Sequence, residues 1–275
     1  MGDKSKIEWT DATWNPWQGC TKVSPACEHC YMFTDMRRYG RDPSVVRKSA
    51  DGTFFLPLKR RRTGEYAIPP GSKVFTCSWS DWFHDRADAW RPKAFSIIQE
   101  RPDLTFQIVT KRTERIEECL PPDWGAGYPN VWLIATVENQ QWAEKRIPEL
   151  LRIPAAVHGL SCEPLLGPIS LAAEWLFDGC PASQSLQWII AGGESGPGAR
   201  PMHPDWARGL RNQCQNFAVP FFFKQWGEWL GALQDGAVDL CNISDGPVRV
   251  GKKAAGRSLD GRTWDEFPIE VSLAR

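Results

Sequence analysis

The chain has 275 residues, with 33 basic and 33 acidic side chains and a formal net charge of zero. That balance excludes sequence-independent binding of polyanions by the whole surface, but leaves room for a local basic patch. No apolar run approaches the roughly 20 residues of a membrane-spanning helix, and the polar, charged start from Met1 to Thr10 does not read as a signal peptide.

Ile7 to Trp17 is extended in character and reads as a first strand ending at Asn15-Pro16. It runs into a loop that carries Cys20, Cys27 and Cys30, spaced Cys-x6-Cys-x2-Cys. The other six cysteines (Cys77, Cys119, Cys162, Cys180, Cys214 and Cys241) are scattered singly, which is no disulfide framework. The pattern suits a reducing, cytoplasmic setting, where clustered thiols read as metal ligands. Four thiolates close a structural zinc site or fill an ordinary iron–sulfur cluster. Three leave one coordination position open for chemistry. His29, just before the third cysteine, reads as a fourth ligand or as a flat ring packed beside the metal. From Cys27 to Tyr39 the composition turns helical, with Met32, Phe33 and Met36 on one face. Residues 41–70 are irregular and basic, with Lys59-Arg60-Arg61-Arg62 at their centre. They are the best candidate for a substrate-facing insertion.

After Pro69-Pro70-Gly71 a rhythm begins. Strands are expected at 73–78, 104–110, 130–137, 156–162, 186–191 and 219–223. Helices are expected at 93–100, 114–119, 141–151 and 205–217. Short continuous apolar runs alternating with helical segments mean parallel strands joined by crossovers. The fold class is therefore α/β: a partial (β/α)6-like barrel over residues 1–230, holding the basic insertion. A Gly- and Asp-rich C-terminal extension, 231–275, is expected to pack on it. Fifteen tryptophans supply core, and flat faces for a planar ligand.

In parallel α/β folds the site lies where the strands end. Here the strand ends carry Ser78, Ser80 and Asp81, then Lys111 and Arg112, Glu138, Glu163, and Gly192-Gly193-Glu194. Singly, each reads as a cap or turn residue. Together, they read as one pocket. The two glycines would let a ligand approach the backbone closely. His158 reads as core; His84 and His203 read as loop residues, structural or catalytic.

A three-cysteine loop after the first strand of a partial barrel resembles the radical S-adenosylmethionine (SAM) superfamily. More closely, Trp14-Asn15-Pro16-Trp17, Cys27-Glu28-His29-Cys30-Tyr31, Glu163-Pro164-Leu165-Leu166-Gly167, Gly192 to Gly196 and Phe222 to Gly227 are similar to a phage- and bacteria-encoded family of three-cysteine-motif proteins. The usual superfamily spacing is Cys-x3-Cys-x2-Cys, and here the first gap is longer. The resemblance implies that Cys20, Cys27 and Cys30 hold a [4Fe-4S] cluster and that SAM is cleaved to a 5′-deoxyadenosyl radical, with an electron donor as partner. It implies cofactor-binding roles for His29 beside the adenine, Ser78, Ser80 and Asp81 at the SAM amino group, Lys111 or Arg112 at its carboxylate, and Glu138 and Glu163 at ribose or substrate. Gly192, Gly193 and Glu194 belong to the same expected site. The substrate expected is a nucleic acid or nucleotide, drawn to Arg37, Arg38, Arg41, Arg47, Lys48 and Lys59 to Arg62. The alternative is a non-enzymatic, zinc-binding nucleic-acid module using the three cysteines with His29 or a distant ligand. A nicotinamide oxidoreductase lacks its glycine fingerprint.

Overall fold

The computed structural model describes residues 2–177, 185–230 and 247–268. Seven strands form one parallel sheet: β1 (Ala12–Trp14), β2 (Lys73–Thr76), β3 (Thr105–Thr110), β4 (Val131–Thr136), β5 (Val157–Cys162), β6 (Trp188–Gly192) and β7 (Phe221–Gln225). Their spatial order is their chain order, and the sheet curls into a half-barrel. The main helices are α1 (Tyr31–Arg38), α2 (Arg91–Glu100), α3 (Gln140–Leu151) and α4 (Pro204–Asn216). Local signals set their starts. Asn139 caps α3 by accepting the Trp142 N–H, and His203 caps α4 by accepting the Asp205 N–H ahead of a proline at the first turn.

The outer face of the sheet packs on the helices in the main core, which includes Val74, Phe106, Ile108, Leu133 and Leu160. The concave face is divided along its length. Toward the strand starts it is filled by Trp132, Ile134, Trp188, Ile190 and Phe222, joined by Trp9 and Phe267. Trp188 is the hub: its ring centroid lies 5.5 Å from Trp132, 6.2 Å from Trp9 and 5.3 Å from Phe267. Two residues further along, the same alternation presents Thr136 beyond Ile134 and Lys224 beyond Phe222. Register then sets Thr136 beside Ser161. An apolar floor and a polar mouth are thus one face of one sheet.

Several expectations are corrected. The first strand is short because Ile7 and Trp9 turn inward to plug the barrel instead of extending it. The helix after the cysteines starts at Tyr31; Pro25–Cys27 forms a separate 3-10 turn. A short helix, Ala173–Leu176, stands before β6, where none was expected. Residues 258–267 do pack on the barrel: the Trp188 indole donates to Glu266 O at 2.8 Å, and the Phe223 N–H to Trp264 O at 2.9 Å, which covers the β7 edge. The expectations for 231–246 and 269–275, and for Cys180 and Cys241, lie outside the described residues. No helix among the described residues is long and apolar enough to cross a membrane.

The basic insertion is split between the two ends of the barrel. Residues 41–48 lie against the cysteine loop: the Cys20 N–H donates to Pro43 O at 2.8 Å, and Arg47–Lys48 pairs with Trp17–Gln18 as a two-stranded ribbon. Residues 57–71 lie where β2 and β3 begin. Arg101, just before β3, donates to Pro57 O and Ile68 O, and the Gly71 N–H donates to Asp103 O. Arg60 stacks on Tyr66, and Arg61 pairs with Asp3. Lys59 to Arg62 therefore does not face the mouth, contrary to the expectation for the insertion as a whole.

Candidate functional site

The cysteine loop closes over the strand ends by close backbone contact. Gly19 has φ +92, and a Cβ there would lie 2.3 Å from Val45 O, so only glycine lets the loop fold back on residues 43–46. The Gly19 N–H donates to Trp79 O at 3.0 Å. The long first gap is taken up by the 3-10 turn at Pro25–Cys27. All three thiols are free; Cys27 is buried, and Cys20 and Cys30 are half-buried. Cys20 and Cys30 rest against Met32, Phe33 and Met36, with Trp79 beside them. Burial, with Asp81 adding and Arg112 opposing, pushes the Cys20 thiol up to about 11. Burial also raises Cys30, with Lys111 opposing. Among the described residues, no three His, Cys, Asp or Glu side chains are grouped to hold one ion.

Three buried carboxylates at strand ends hold this loop, Asp81 and Glu194 through an arginine and Glu138 directly. Asp81 receives Arg112 Nη1 at 3.2 Å, and Arg112 also donates to Thr21 O at 3.0 Å and lies 3.7 Å from Cys20 Sγ. Glu138 receives Arg146 at 3.0 Å and accepts the Ala26 N–H at 3.4 Å, next to Cys27. Glu194 is gripped from both sides by Arg200, at 2.7 Å and 2.8 Å, and Arg200 reaches on to Pro25 O and to Glu28, each at 3.0 Å. Bidentate arginine contacts fix orientation as well as charge. His84 adds a fourth tie, its Nε2 lying 3.2 Å from Thr21 Oγ1.

Burial alone would raise the Asp81 carboxyl. Arg112, then the Lys111 N–H, Thr110 and the Phe83 N–H, outweigh it and hold the group below the usual carboxylate range. A value depressed on folding contributes stability that is present above the unfolded value, about pH 4, and is lost as pH falls through the folded one. The stability difference between the parent and Asp81→Asn should therefore narrow below about pH 4, as read by urea unfolding across pH.

Beneath the loop lies a cavity of about 620 Å³. Cys30 and Tyr31 line it from the loop side, with Ser78, Ser80 and Asp81 from the end of β2. Lys111, Thr136, Ser161, Glu163 and Lys224 line it from the strands, and Trp9 and Phe75 form its apolar floor. Lys224 pairs with Glu163 at 3.1 Å. Among the described residues, Lys111 Nζ has one long hydrogen-bond contact, 3.5 Å to Thr136 Oγ1. A second cavity, of about 520 Å³, lies on the outer face between α2 and residues 118–128; Cys119 lines it, and Cys20, Cys27 and Cys30 do not.

Ser78, Ser80, Asp81, Lys111 and Glu163 share the cavity with Cys30. Ser80 Oγ donates to Gly19 O, and Ser78 Oγ lies with Asn15, so both also brace the loop. Arg112, Glu138 and Glu194 act on the loop's position. His29 packs on the Gly198 backbone, where an added Cβ would lie 2.8 Å from its Nδ1. The glycine pair serves a different purpose from the one expected. A Cβ on Gly192 would lie 2.7 Å from Glu163 Oε1, and one on Gly193 only 1.9 Å from Trp226 O. The close approach that the structure shows at both glycines is by the protein itself. His158 is core, its Nε2 2.7 Å from Ile153 O, and His203 is a helix cap. Arg146 and Arg200 escaped the sequence reading. Their only signal is an arginine shortly after a strand-end glutamate, which is indistinguishable from a solvated helix or loop residue.

No curated protein and no solved structure matches the chain. A family model described as "protein of unknown function (DUF5131)" matches residues 4–268. That match spans most of the chain, and the protein belongs to the DUF5131 family.

Proposed function

We propose that the protein is a radical SAM enzyme, with Cys20, Cys27 and Cys30 as the protein ligands of a [4Fe-4S] cluster. The observation that carries this reading is continuity: Cys30 lines the same cavity as the strand-end groups Ser78, Lys111 and Glu163. The donor set fits the group. Three free thiols sit on one loop at the mouth of a parallel half-barrel, cradled by methionine and phenylalanine side chains. A cluster gives each thiolate its own iron, so three spaced sulfurs suit it better than they suit a single tetrahedral ion. When bound, the cluster would pass one electron to SAM, whose sulfonium breaks to methionine and a 5′-deoxyadenosyl radical able to take hydrogen from a substrate.

The chain's own residues then have separable roles. Met32, Phe33 and Met36 keep water from the metal side. Lys111, with a single long contact, faces the cavity as the cation for a ligand carboxylate. Asp81 already accepts from Arg112, Lys111 N, Thr110 and Phe83 N, so its part is to position the Cys20 side of the loop rather than to bind an amino group. Glu163, tied to Lys224, presents a polar edge from β5.

The test is anaerobic reconstitution followed by incubation with SAM and dithionite. The parent should hold iron and sulfide and release 5′-deoxyadenosine; Cys27→Ala should release none. A colourless protein holding one zinc per chain and releasing none would overturn the reading in favour of a zinc module.

A further inference from the structure

We infer that the substrate is a single-stranded nucleic acid, whose target nucleotide enters the cavity past a rim formed by the end of α1. This rests on the radical SAM reading for the word substrate, but the binding surface stands on its own observations.

The helix that follows the cysteines ends in Arg37 and Arg38, and Tyr39 comes next with 66% of its surface exposed. Its ring lies over Trp79 with centroids 6.4 Å apart and planes 26° apart. Trp79 in turn lines the cavity beside Cys30. A flat aromatic pair therefore runs from open solvent to the cysteine site. Arg37, Arg38, Arg41 and Arg47 are exposed around it, and none is ion-paired among the described residues. Arg41 donates to Gln18, and Arg47 to Asp42 O, which hold both against the cysteine-side ribbon. Asp35 and Asp42 lie on this surface, Asp42 engaged by the N–H and hydroxyl of Ser44, and Asp85, 2.7 Å from His84 Nδ1, stands in the turn packed against Arg47–Lys48.

Two arginines in a last turn also complement a helix dipole. That account leaves the solvent-facing stack beside them unexplained. Cations flanking stacked aromatic faces are what a single strand needs: charge for the phosphates and planes for the unpaired bases. A base inside a duplex cannot reach a group at the bottom of a cavity unless it leaves the stack. The cavity itself carries Lys111 and Lys224, and exposed Lys4, Lys6 and Lys252 border it. The neutral net charge agrees with a local patch rather than a basic surface. Lys59 to Arg62, the densest basic run in the sequence, stands at the other end of the barrel and serves as the internal control.

The experiment is fluorescence anisotropy with labelled single-stranded DNA and RNA of about 12 nucleotides, within the footprint of such sites, and with the matching duplexes. The full chain is used, with and without reconstituted iron. The parent should prefer single strands to duplex. Arg37→Ala/Arg38→Ala should weaken binding about tenfold near 0.1 M salt and lower the salt slope by about 1.4, the loss of two phosphate contacts. Tyr39→Ala should weaken binding about tenfold, the loss of one stacked base. Arg60→Ala/Arg62→Ala should bind as the parent does. All five positions are exposed, and unchanged melting curves would show that each variant is folded. The inference is overturned by no binding at low salt, by equal affinity for duplex, or by a control variant that loses as much as the rim variant. Release of 5′-deoxyadenosine without oligonucleotide binding would discard this inference and keep the radical SAM reading. Rim-dependent binding without 5′-deoxyadenosine would do the reverse, leaving a nucleic-acid site that is not a radical enzyme's.

Discussion

Arg146→Met should lower the folding free energy by about 3–5 kcal/mol and the thermal midpoint by about 10 °C. Glu138 is 0% exposed and Arg146 1% exposed. The guanidinium donates to Glu138 at 3.0 Å and to Thr136 O at 2.7 Å, and lies 3.9 Å from the Trp142 ring. Burial pulls its pKa down while Glu138 opposes that, so the pair holds together only because each partner offsets the other's desolvation. The pair is not free of cost, since Nε and Nη2 of Arg146 are buried without a hydrogen-bond partner among the described residues. Removing the arginine alone leaves a buried carboxylate whose other contact is the Ala26 N–H at 3.4 Å. Replacing both, as Glu138→Leu/Arg146→Met, should recover most of the lost stability, because no uncompensated charge remains. On the proposed cluster reading, iron retention should rank the other way. The single variant keeps the Glu138 tie to Ala26 beside Cys27, and the double variant does not. Urea unfolding and iron content, measured on both, separate the two effects. If the double variant keeps iron as well as the parent does, Glu138 is not an anchor of the loop.

That pair also shows where reading the sequence stops. The parallel sheet was legible because its strands are buried on both faces and so appear as short apolar runs, unbroken in Val131–Ala135 and interrupted by His158 and Ser161 in Val157–Cys162. The cysteine loop was legible as a unit because three of its cysteines fall within eleven residues. The strand-end acids were legible as a group, since parallel strands deliver their ends to one side. Their partners were not. Arg146 comes from a helix and Arg200 from a loop, and only the fold brings Arg146 to Glu138 and Arg200 to Glu194 and the cysteine segment. The insertion failed for a related reason. Composition marks residues 41–70 as one basic stretch, but contacts far away in sequence, such as Cys20 with Pro43 and Arg101 with Pro57, send its halves to opposite ends of the barrel. Ile7 and Trp9 misled because a residue that plugs a barrel has the same apolar spacing as one that extends a strand.

Gly193→Ala should destabilise the protein by at least about 3 kcal/mol and loosen the cysteine loop at the same time. The added Cβ would lie 1.9 Å from Trp226 O and 2.7 Å from its carbonyl carbon. Both are backbone atoms, so no rotamer change relieves the clash. The two chains are locked together here. The Gly193 N–H donates to Gln225 O at 2.9 Å, the Gln225 side chain returns a bond to Gly193 O at 3.1 Å, and a Cβ on Gly227 would meet Glu194 O at 2.1 Å. Separating β6 from β7 at this level moves Glu194, and Glu194 holds Arg200, which holds Pro25 and Glu28. The loss should therefore appear in iron retention as well as in melting temperature. Gly209→Ala is the matched control. It lies within α4 with nothing within 4 Å of the added Cβ, and it should gain about 0.5–1 kcal/mol from helix propensity alone. A Gly193→Ala variant that melts with the parent would show that the β6–β7 junction yields, and that the glycine pair is not what sets the position of Glu194.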